Sequence, residues 1–291
     1  MSWRIVVISN SAKLDYQMGY MVVRQEKTTK IFLNEIRTVI LETTAISITG
    51  TLLCELNKNK VKVIFCDEKR NPCSELLPYY GAHDTSAKIR AQIAWTEEIK
   101  VAVWTEIVTE KICKQKELLL RIGKCEEAEM LKNYANEIKF GDVTNREGHA
   151  AKVYFNALFG KEFTRTADLN INAALNYGYS IILSAFTREI AANGYMSQIG
   201  LFHDNMFNPF NLASDFMEPF RPIVDQTVYN MGLQVFDKKE KMELVNILNQ
   251  SVIMNGRIEY IGNAIKIYVK SVFDALCDND VSLMRFYRSE L

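Results

Sequence analysis

The sequence is poor in several things, and each shortage excludes something. Its six cysteines include no C-x-x-C pair, so a zinc knuckle or a thioredoxin-type redox site is not expected. Scattered over apolar patterns, they read as reduced, mostly packed residues. No apolar run approaches the roughly 20 residues needed to span a bilayer. The longest, around Ile181–Phe186 and Ile267–Leu276, are too short or carry charge. The first residues lack the charged start, long apolar stretch and small-residue cleavage site of a signal peptide and read as a strand beginning at once. A cytoplasmic protein without a membrane segment is the expectation. Net charge is absent too: 35 basic residues face 35 acidic ones. A protein that grips DNA needs Lys and Arg on one surface, so the balance counts mildly against nucleic acid. Its distribution is uneven, however. Basic residues outnumber acidic ones up to Arg90, and acidic residues outnumber basic ones from 91 to 218. No internal repeat or low-complexity tract occurs.

The apolar share of 48% over 291 residues is enough to build two modest domains. Up to about residue 80 the pattern is that of strands: Arg4–Ser9, Tyr20–Arg24, Lys30–Leu33, Thr38–Leu41 and the alternating Lys60–Cys66. One helix, from Gly50 to Asn57, interrupts them with Leu52, Leu53 and Leu56 on a single face. The turn-rich stretch Tyr79-Tyr80-Gly81-Ala82-His83-Asp84-Thr85-Ser86 closes this part. Helical spacing follows: Ile99, Val103, Ile107, Val108 and Ile112 form one stripe, and Ala150–Leu158, Ala173–Ala192, Lys241–Asn249 and Ile261–Leu276 continue the pattern. The predicted class is α+β, with a β-rich domain over 1–85 and a mainly α-helical domain over 86–291. Pro209, Pro219 and Pro222, three of the five prolines, interrupt one stretch of that helical part.

Two segments carry candidate chemistry. In Asn145-Arg146-Glu147-Gly148-His149-Ala150-Ala151, Thr144 and Glu147 have capping-box spacing, which makes Glu147 a structural residue reaching back to the Thr144 N–H. The alternative turns Glu147 into a cleft floored by Ala150 and Ala151, where it binds a cation. His149 lies about 200° around the helix and cannot easily share that cation. The second segment holds His203 and Asp215-Phe216-Met217-Glu218-Pro219-Phe220-Arg221-Pro222. A lone histidine is more often structural than ligating. Asp215 and Glu218, three apart, would share one helix face, and such a pair suits a hard divalent cation. Alternatively Ser214 caps a helix and Asp215 offsets its dipole. On that reading Glu218 lies outside the core, and Glu218→Ala costs under about 1 kcal/mol. Thr144→Ala, a lost cap, would cost about 0.5–2 kcal/mol. Two or three carboxylates with one imidazole form a mixed oxygen and nitrogen set fitting Mg²⁺ or Mn²⁺.

These segments resemble those of the CRISPR adaptation integrase family, in the branch associated with type II systems. The carriers, in order, are Leu41-Glu42-Thr43-Thr44, Val63-Ile64-Phe65-Cys66-Asp67, Tyr80-Gly81-Ala82-His83-Asp84, the Asn145–Ala151 segment, Leu175-Asn176-Tyr177-Gly178-Tyr179 and the Asp215–Pro222 segment. The resemblance implies that Glu147, His203 and Glu218 bind a catalytic Mg²⁺ or Mn²⁺, with Asp215 a further acidic position. Many relatives have aspartate where Glu218 stands. It also implies a homodimer, a small ferredoxin-like adaptation protein as partner, other adaptation proteins and the RNA-guided effector nuclease as further partners, and DNA as substrate. The implied reaction joins the 3′-hydroxyl of captured spacer DNA to the CRISPR repeat by transesterification. Arg146, Arg188 and Arg221 are candidates for phosphate contacts. Hydrolysis of branched DNA and a non-catalytic scaffold are the alternatives.

Overall fold

A computed structural model describes residues 4–76 and 82–288. The chain divides into two compact units, Met1–Ala82 and His83–Leu291. The class is α+β: the first unit is built mainly of strands, the second mainly of helices.

The first unit contains β1 (Arg4–Ile8), β2 (Ala12–Gln17), β3 (Tyr20–Arg24), β4 (Thr28–Phe32), β5 (Ile36–Leu41), β6 (Ile46–Ile48), α1 (Gly50–Lys58), β7 (Lys62–Cys66) and β8 (Pro72–Glu75). They form two sheets, ordered β1-β5-β7-β8 and β4-β3-β2-β6. In the first, β5 runs parallel to both neighbours and is buried along almost its whole length, as expected of a central parallel strand. In the second, β2, β3 and β4 form an antiparallel meander and β6 adds a parallel edge. Leu14 and Met21 from the meander, Val39 and Val63 from the parallel strands, and Leu52 and Leu56 from α1 share one core. The Thr49 hydroxyl caps α1, accepting from the Leu52 N–H at 3.3 Å. Strand β2, absent from the expected strands, alternates Ala12, Leu14 and half-buried Tyr16 with Lys13, Asp15 and Gln17. Residues 77–81, the first part of the expected turn-rich boundary, lie outside the described residues, as do residues 1–3.

The second unit contains α2 (Thr85–Ala94), α3 (Glu97–Arg121), α4 (Cys125–Asn136), α5 (Arg146–Phe159), α6 (Asn170–Ala192), α7 (Asn211–Phe216), α8 (Arg221–Met231), α9 (Lys238–Val245), a hairpin of β9 (Ser251–Met254) and β10 (Arg257–Tyr260), and α10 (Ile261–Asp278). Long α3 is central and packs against α4, α5, α8 and α10. The Thr96 hydroxyl caps it, and its stripe of Ile99, Val103, Ile107, Val108 and Ile112 is buried. Helix α6 approaches α8 and α9 at Gly178, where a methyl group would strike Val224 and come within 3.2 Å of Leu244. The Lys241–Asn249 pattern ends as a tighter 3-10 turn over Asn246–Asn249, and the hairpin after it turns on Asn255-Gly256, both with positive φ, a two-residue hairpin signal that the sequence reading did not use. Among the described residues no helix is long and apolar enough to cross a membrane.

Candidate active site

Glu147 owes its freedom to the way α5 begins. Asp142 and Asn145 both adopt left-handed backbone, with φ of 49° and 52°, a region that asparagine and aspartate tolerate better than most residues. The Asp142 carboxylate accepts from the N–H groups of Arg146 (2.7 Å) and Glu147 (2.9 Å), and the Asn145 side chain accepts from Gly148 N–H at 3.2 Å. The first turn is thus satisfied without Thr144 or Glu147. The expected capping box is absent: Thr144 Oγ1 is buried with no hydrogen-bond partner, and Asn145 is the cap. The Glu147 carboxylate instead pairs with the ammonium of Lys111 on α3.

Glu218 comes to the same ammonium from the other side. It opens a 3-10 turn, Glu218–Phe220, that leads directly into α8. Phe220 is wedged against Phe186 (5.3 Å between centroids), Tyr268 (5.4 Å) and Tyr287 (4.7 Å), and the Tyr287 hydroxyl donates to the Pro219 carbonyl at 3.1 Å. Glu218 is consequently 3% exposed rather than outside the core. Its Oε1 accepts from Arg221 Nε at 2.7 Å, while Oε2 is paired with the Lys111 ammonium. Burial pushes this carboxyl up, but the charges of Arg221 and Lys111 outweigh it and hold the group at about 2. For Lys111, burial works against the charge and the Glu218 and Glu147 carboxylates overcome it, so its pKa is raised.

Asp215 is fully buried and has a different task. Its position near the end of α7 excludes the expected role at a helix N-terminus. Its Oδ2 accepts from the N–H groups of Leu201 (2.6 Å) and Phe202 (3.1 Å), and its Oδ1 accepts from that of His203 (3.1 Å). The same Oδ1 faces His203 Nδ1 at 2.5 Å. Gly200 makes this possible: a Cβ there would stand 2.8 Å from Asp215 Oδ2 and collide with the His203 carbonyl. The bond to Asp215 raises the His203 pKa despite partial burial, and the charges of Glu218 and Glu147 add to the rise. His203 therefore shares its surroundings with both glutamates. With Nδ1–H given to Asp215, the neutral ring presents the lone pair of Nε2, the tautomer that a carboxylate selects in a ligating histidine.

The family can be read from this site and from the whole chain together. The profile described as CRISPR associated protein Cas1 matches residues 5–240. The chain belongs to the Cas1 family. It is 37% identical to the CRISPR-associated endonuclease Cas1 of Neisseria meningitidis serogroup C (strain 8013), over 87% of this chain and 85% of that protein. Its fold is similar to a casposase bound to integration product, with a TM-score of 0.77 and 18% identity, over 96% of this chain and 93% of that one. It also matches a chain of a Cas6-RT-Cas1–Cas2 complex, with a TM-score of 0.75 and 18% identity, covering 99% of this chain but only 36% of the longer one.

Within this Cas1 chain the expected residues are not arranged alike. Glu147 and Glu218 meet across Lys111, His203 stands beside them, and Asp215 buttresses the histidine. Among the described residues no group of three or more Asp, Glu, His or Cys side chains is placed so as to hold a metal ion. By type the donors nonetheless suit a hard divalent ion: two glutamates brought together at Lys111, and an imidazole whose Nδ1 faces Asp215 and leaves Nε2 to ligate. His149 packs near the Tyr134 ring, 6.1 Å away. The three candidate arginines are all paired within the chain: Arg146 with Glu137 at 2.9 Å, Arg188 with Glu189, and Arg221 with Glu218. Arg221 also lies over Tyr179 at 4.7 Å, and Tyr179 and Tyr154 both donate to buried Asp225. Sequence reasoning missed Lys111, although the signal was there. It falls four residues after Ile107 on the apolar stripe of α3, where a lysine must have buried partners.

Proposed function

We propose that the chain is a metal-dependent DNA integrase of CRISPR adaptation, using Mg²⁺ or Mn²⁺ held by Glu147, His203 and Glu218. The supporting observation is the meeting of Glu147 and Glu218 at one point, with a histidine beside them whose Nδ1 is locked by Asp215. A buried and a half-buried carboxylate kept together by a lysine make a site that a divalent cation can enter by displacing the ammonium, and the reaction there needs no protein nucleophile. The likeness to a casposase carrying an integration product supports the same reading.

Each side chain then has a defined task. Glu147 and Glu218 supply oxygen donors, and Asp215 fixes the ring that supplies nitrogen. Arg221 holds the other oxygen of Glu218 and so sets its bearing. When bound, the ion supplies Lewis-acid polarisation of a phosphodiester and lowers the pKa of the attacking hydroxyl. In the reaction, the 3′-oxygen of captured DNA bonds to phosphorus at the repeat edge. The phosphorus bond to the repeat's own 3′-oxygen breaks, and one proton passes from the attacking hydroxyl to the departing one. Phosphodiester bonds are conserved in number. Arg146, Arg188 and Arg221 are proposed to contact phosphate after exchanging their internal partners. A homodimer through the strand-rich unit, whose sheet edges gain by being covered, and a small ferredoxin-like partner complete the assembly. The likeness to a chain of a Cas1–Cas2 complex supports the latter. A second reading, hydrolysis of branched DNA by water at the same site, is favoured by the endonuclease name of the Neisseria relative.

The test is a joining assay in Mn²⁺ with labelled 3′-hydroxyl DNA and a repeat target, run beside a hydrolysis assay. Glu147→Gln, His203→Ala and Glu218→Gln should abolish joining while DNA binding persists. A Glu218→Gln protein that joins at the wild-type rate refutes the assignment. Cleavage without joining selects the hydrolytic reading.

A further inference from the structure

Helix α2 buries a glutamine where an apolar residue is expected. Gln92 is 2% exposed, whereas its neighbour Ile93 is 68% exposed. Among the described side chains of α2, Gln92 alone is buried. A helix docked by the hydrophobic effect would do the reverse. What α2 presents to its own unit is therefore an amide, and desolvating an amide is offset only by hydrogen bonds. Gln92 makes three. Its Oε1 accepts from Met196 N–H at 2.9 Å, and its Nε2 donates to the carbonyls of Met196 at 2.9 Å and Ile199 at 3.0 Å. By facing both polar groups of Met196, the amide does what a neighbouring strand would do. Trp95, just past the end of α2, lies against Tyr195 with centroids 5.5 Å apart, and Tyr195 stacks on Phe273 at 3.8 Å. These rings hold the end of α2 beside the residues that Gln92 clamps.

The clamped residues lead straight to His203. From 193 to 210 the chain forms neither helix nor strand, so its backbone groups need partners elsewhere. Four successive carbonyls find them outside the segment. Those of Met196 and Ile199 go to Gln92, that of Ser197 accepts from Leu212 N–H at 2.8 Å, and that of Gln198 accepts from Asn211 Nδ2 at 3.0 Å. The Asp215 carboxylate then takes the N–H groups of Leu201, Phe202 and His203. Asn211, Leu212 and Asp215 all belong to α7. Gln92 fastens the same stretch to a second helix, and support from two helices is what stops a loop from tilting about one. Asp215 sets the tautomer of the imidazole, and the bearing of the backbone beneath it depends on both supports.

We propose that Gln92 is a positioning residue for His203: by clamping Met196 and Ile199 it keeps the imidazole beside the two glutamates, where all three can hold one divalent ion. The inference rests on the reading of Glu147, His203 and Glu218 as ligands of Mg²⁺ or Mn²⁺. Gln92 itself touches neither ion nor substrate and acts only through the backbone that carries the histidine.

The experiment loads the full chain with Mn²⁺ alone, without DNA, and reads the ion by electron paramagnetic resonance. Spin-echo modulation from a bound imidazole nitrogen reports whether His203 ligates, and a titration gives the dissociation constant. Wild-type protein should show the nitrogen modulation, and His203→Ala should not. Gln92→Leu, of similar size but without the amide, should lose most of the modulation and bind Mn²⁺ about tenfold more weakly. Gln92→Glu keeps the acceptor for Met196 N–H but sets a charge against two carbonyls, so it should do the same. This isosteric variant decides the matter should the leucine protein not fold. In EDTA, amide hydrogen exchange at Leu201, Phe202 and His203 should speed up in both. The control is Ile247→Val, in the 3-10 turn packed on α8, α9 and α10. It should lower the melting temperature and leave the modulation, affinity and exchange of the loop as in wild type. Wild-type modulation and affinity in the Gln92 variants overturn the inference and leave the ligand assignment standing. Equal losses in Ile247→Val also overturn it, because any loosening of the fold would then suffice. Wild-type protein whose Mn²⁺ shows no nitrogen modulation refutes His203 as a ligand, and the inference falls with that reading.

Discussion

Replacing Glu218 with alanine should destabilise the metal-free protein heavily. The substitution leaves two buried cations, Lys111 and Arg221, facing a space that held their shared carboxylate. Its carboxyl titrates at about 2 in the folded protein against an ordinary 4.5. At about 1.4 kcal/mol per pH unit, this corresponds to roughly 3 kcal/mol of stability at neutral pH. The side chain is only 4% exposed, so solvent screening removes little of it. Loss of one member of a buried ion pair costs a similar amount, about 3–5 kcal/mol. The sequence-based expectation of under about 1 kcal/mol fails because the carboxylate is inside the core. Urea unfolding at pH 7 in EDTA measures the difference. Glu147→Ala, whose side chain is 28% exposed, should cost distinctly less. The pH dependence gives a second check. A depressed carboxyl contributes stability that is complete above 4.5 and fades as pH falls toward 2, so Glu218→Ala should lack that part of the acid limb. A Glu218→Ala protein within about 1 kcal/mol of wild type at pH 7, with an unchanged acid limb, refutes the reasoning.

Lys111→Met should lower the melting temperature without metal, since Glu147 and Glu218 then repel each other, and Mn²⁺ should raise it by more than in wild type. Equal Mn²⁺ responses in a scanning melt would contradict this. Asp225 titrates at about 6 because burial outweighs the hydroxyls of Tyr179 and Tyr154 and the charges of Arg221 and Arg165. A raised carboxyl favours the fold most below 3.8 and loses that contribution as pH rises to about 6, so Asp225→Asn should flatten stability between pH 4 and 6.5. Parallel urea profiles for the two proteins would count against it. Thr144→Ala should change stability by less than about 0.5 kcal/mol, because its hydroxyl bonds nothing, whereas Asp142→Ala should cost about 0.5–2 kcal/mol as a lost cap. Equal losses would restore Thr144 as the cap.

Much of this was legible in residue order, and what was not has identifiable causes. Helices α3, α5 and α10 announce themselves by a periodic apolar face, α6 by its apolar length, and strands β3, β5 and β7 by short apolar runs buried on both sides. Strand β2 shows its alternation more faintly, through Ala12, Leu14 and a half-buried Tyr16, and the parallel pairing of β1, β5 and β7 depends on partners distant in sequence. At the site, the residue types were readable but their couplings were not. Capping rules pointed to Thr144 because they count three residues back from Glu147. The chain uses left-handed backbone at Asp142 and Asn145 instead, which spacing does not reveal. Asp215 and Glu218 look like a pair on one helix face. The break between α7 and the 3-10 turn sends one to the backbone of the His203 loop and the other to Lys111.

The ring of Tyr287 gives the site a timetable. Its hydroxyl holds the Pro219 carbonyl from 68 positions further along the chain, and its ring closes the pocket around Phe220. Glu147, His203 and Glu218 all leave the ribosome well before it does. A nascent chain therefore carries every acidic and imidazole group of the site for some time without the aromatic wedge that seats Glu218. Seating of Glu218 waits until residue 287 is in place, and a product stopping short of it would possess the site residues but not their geometry.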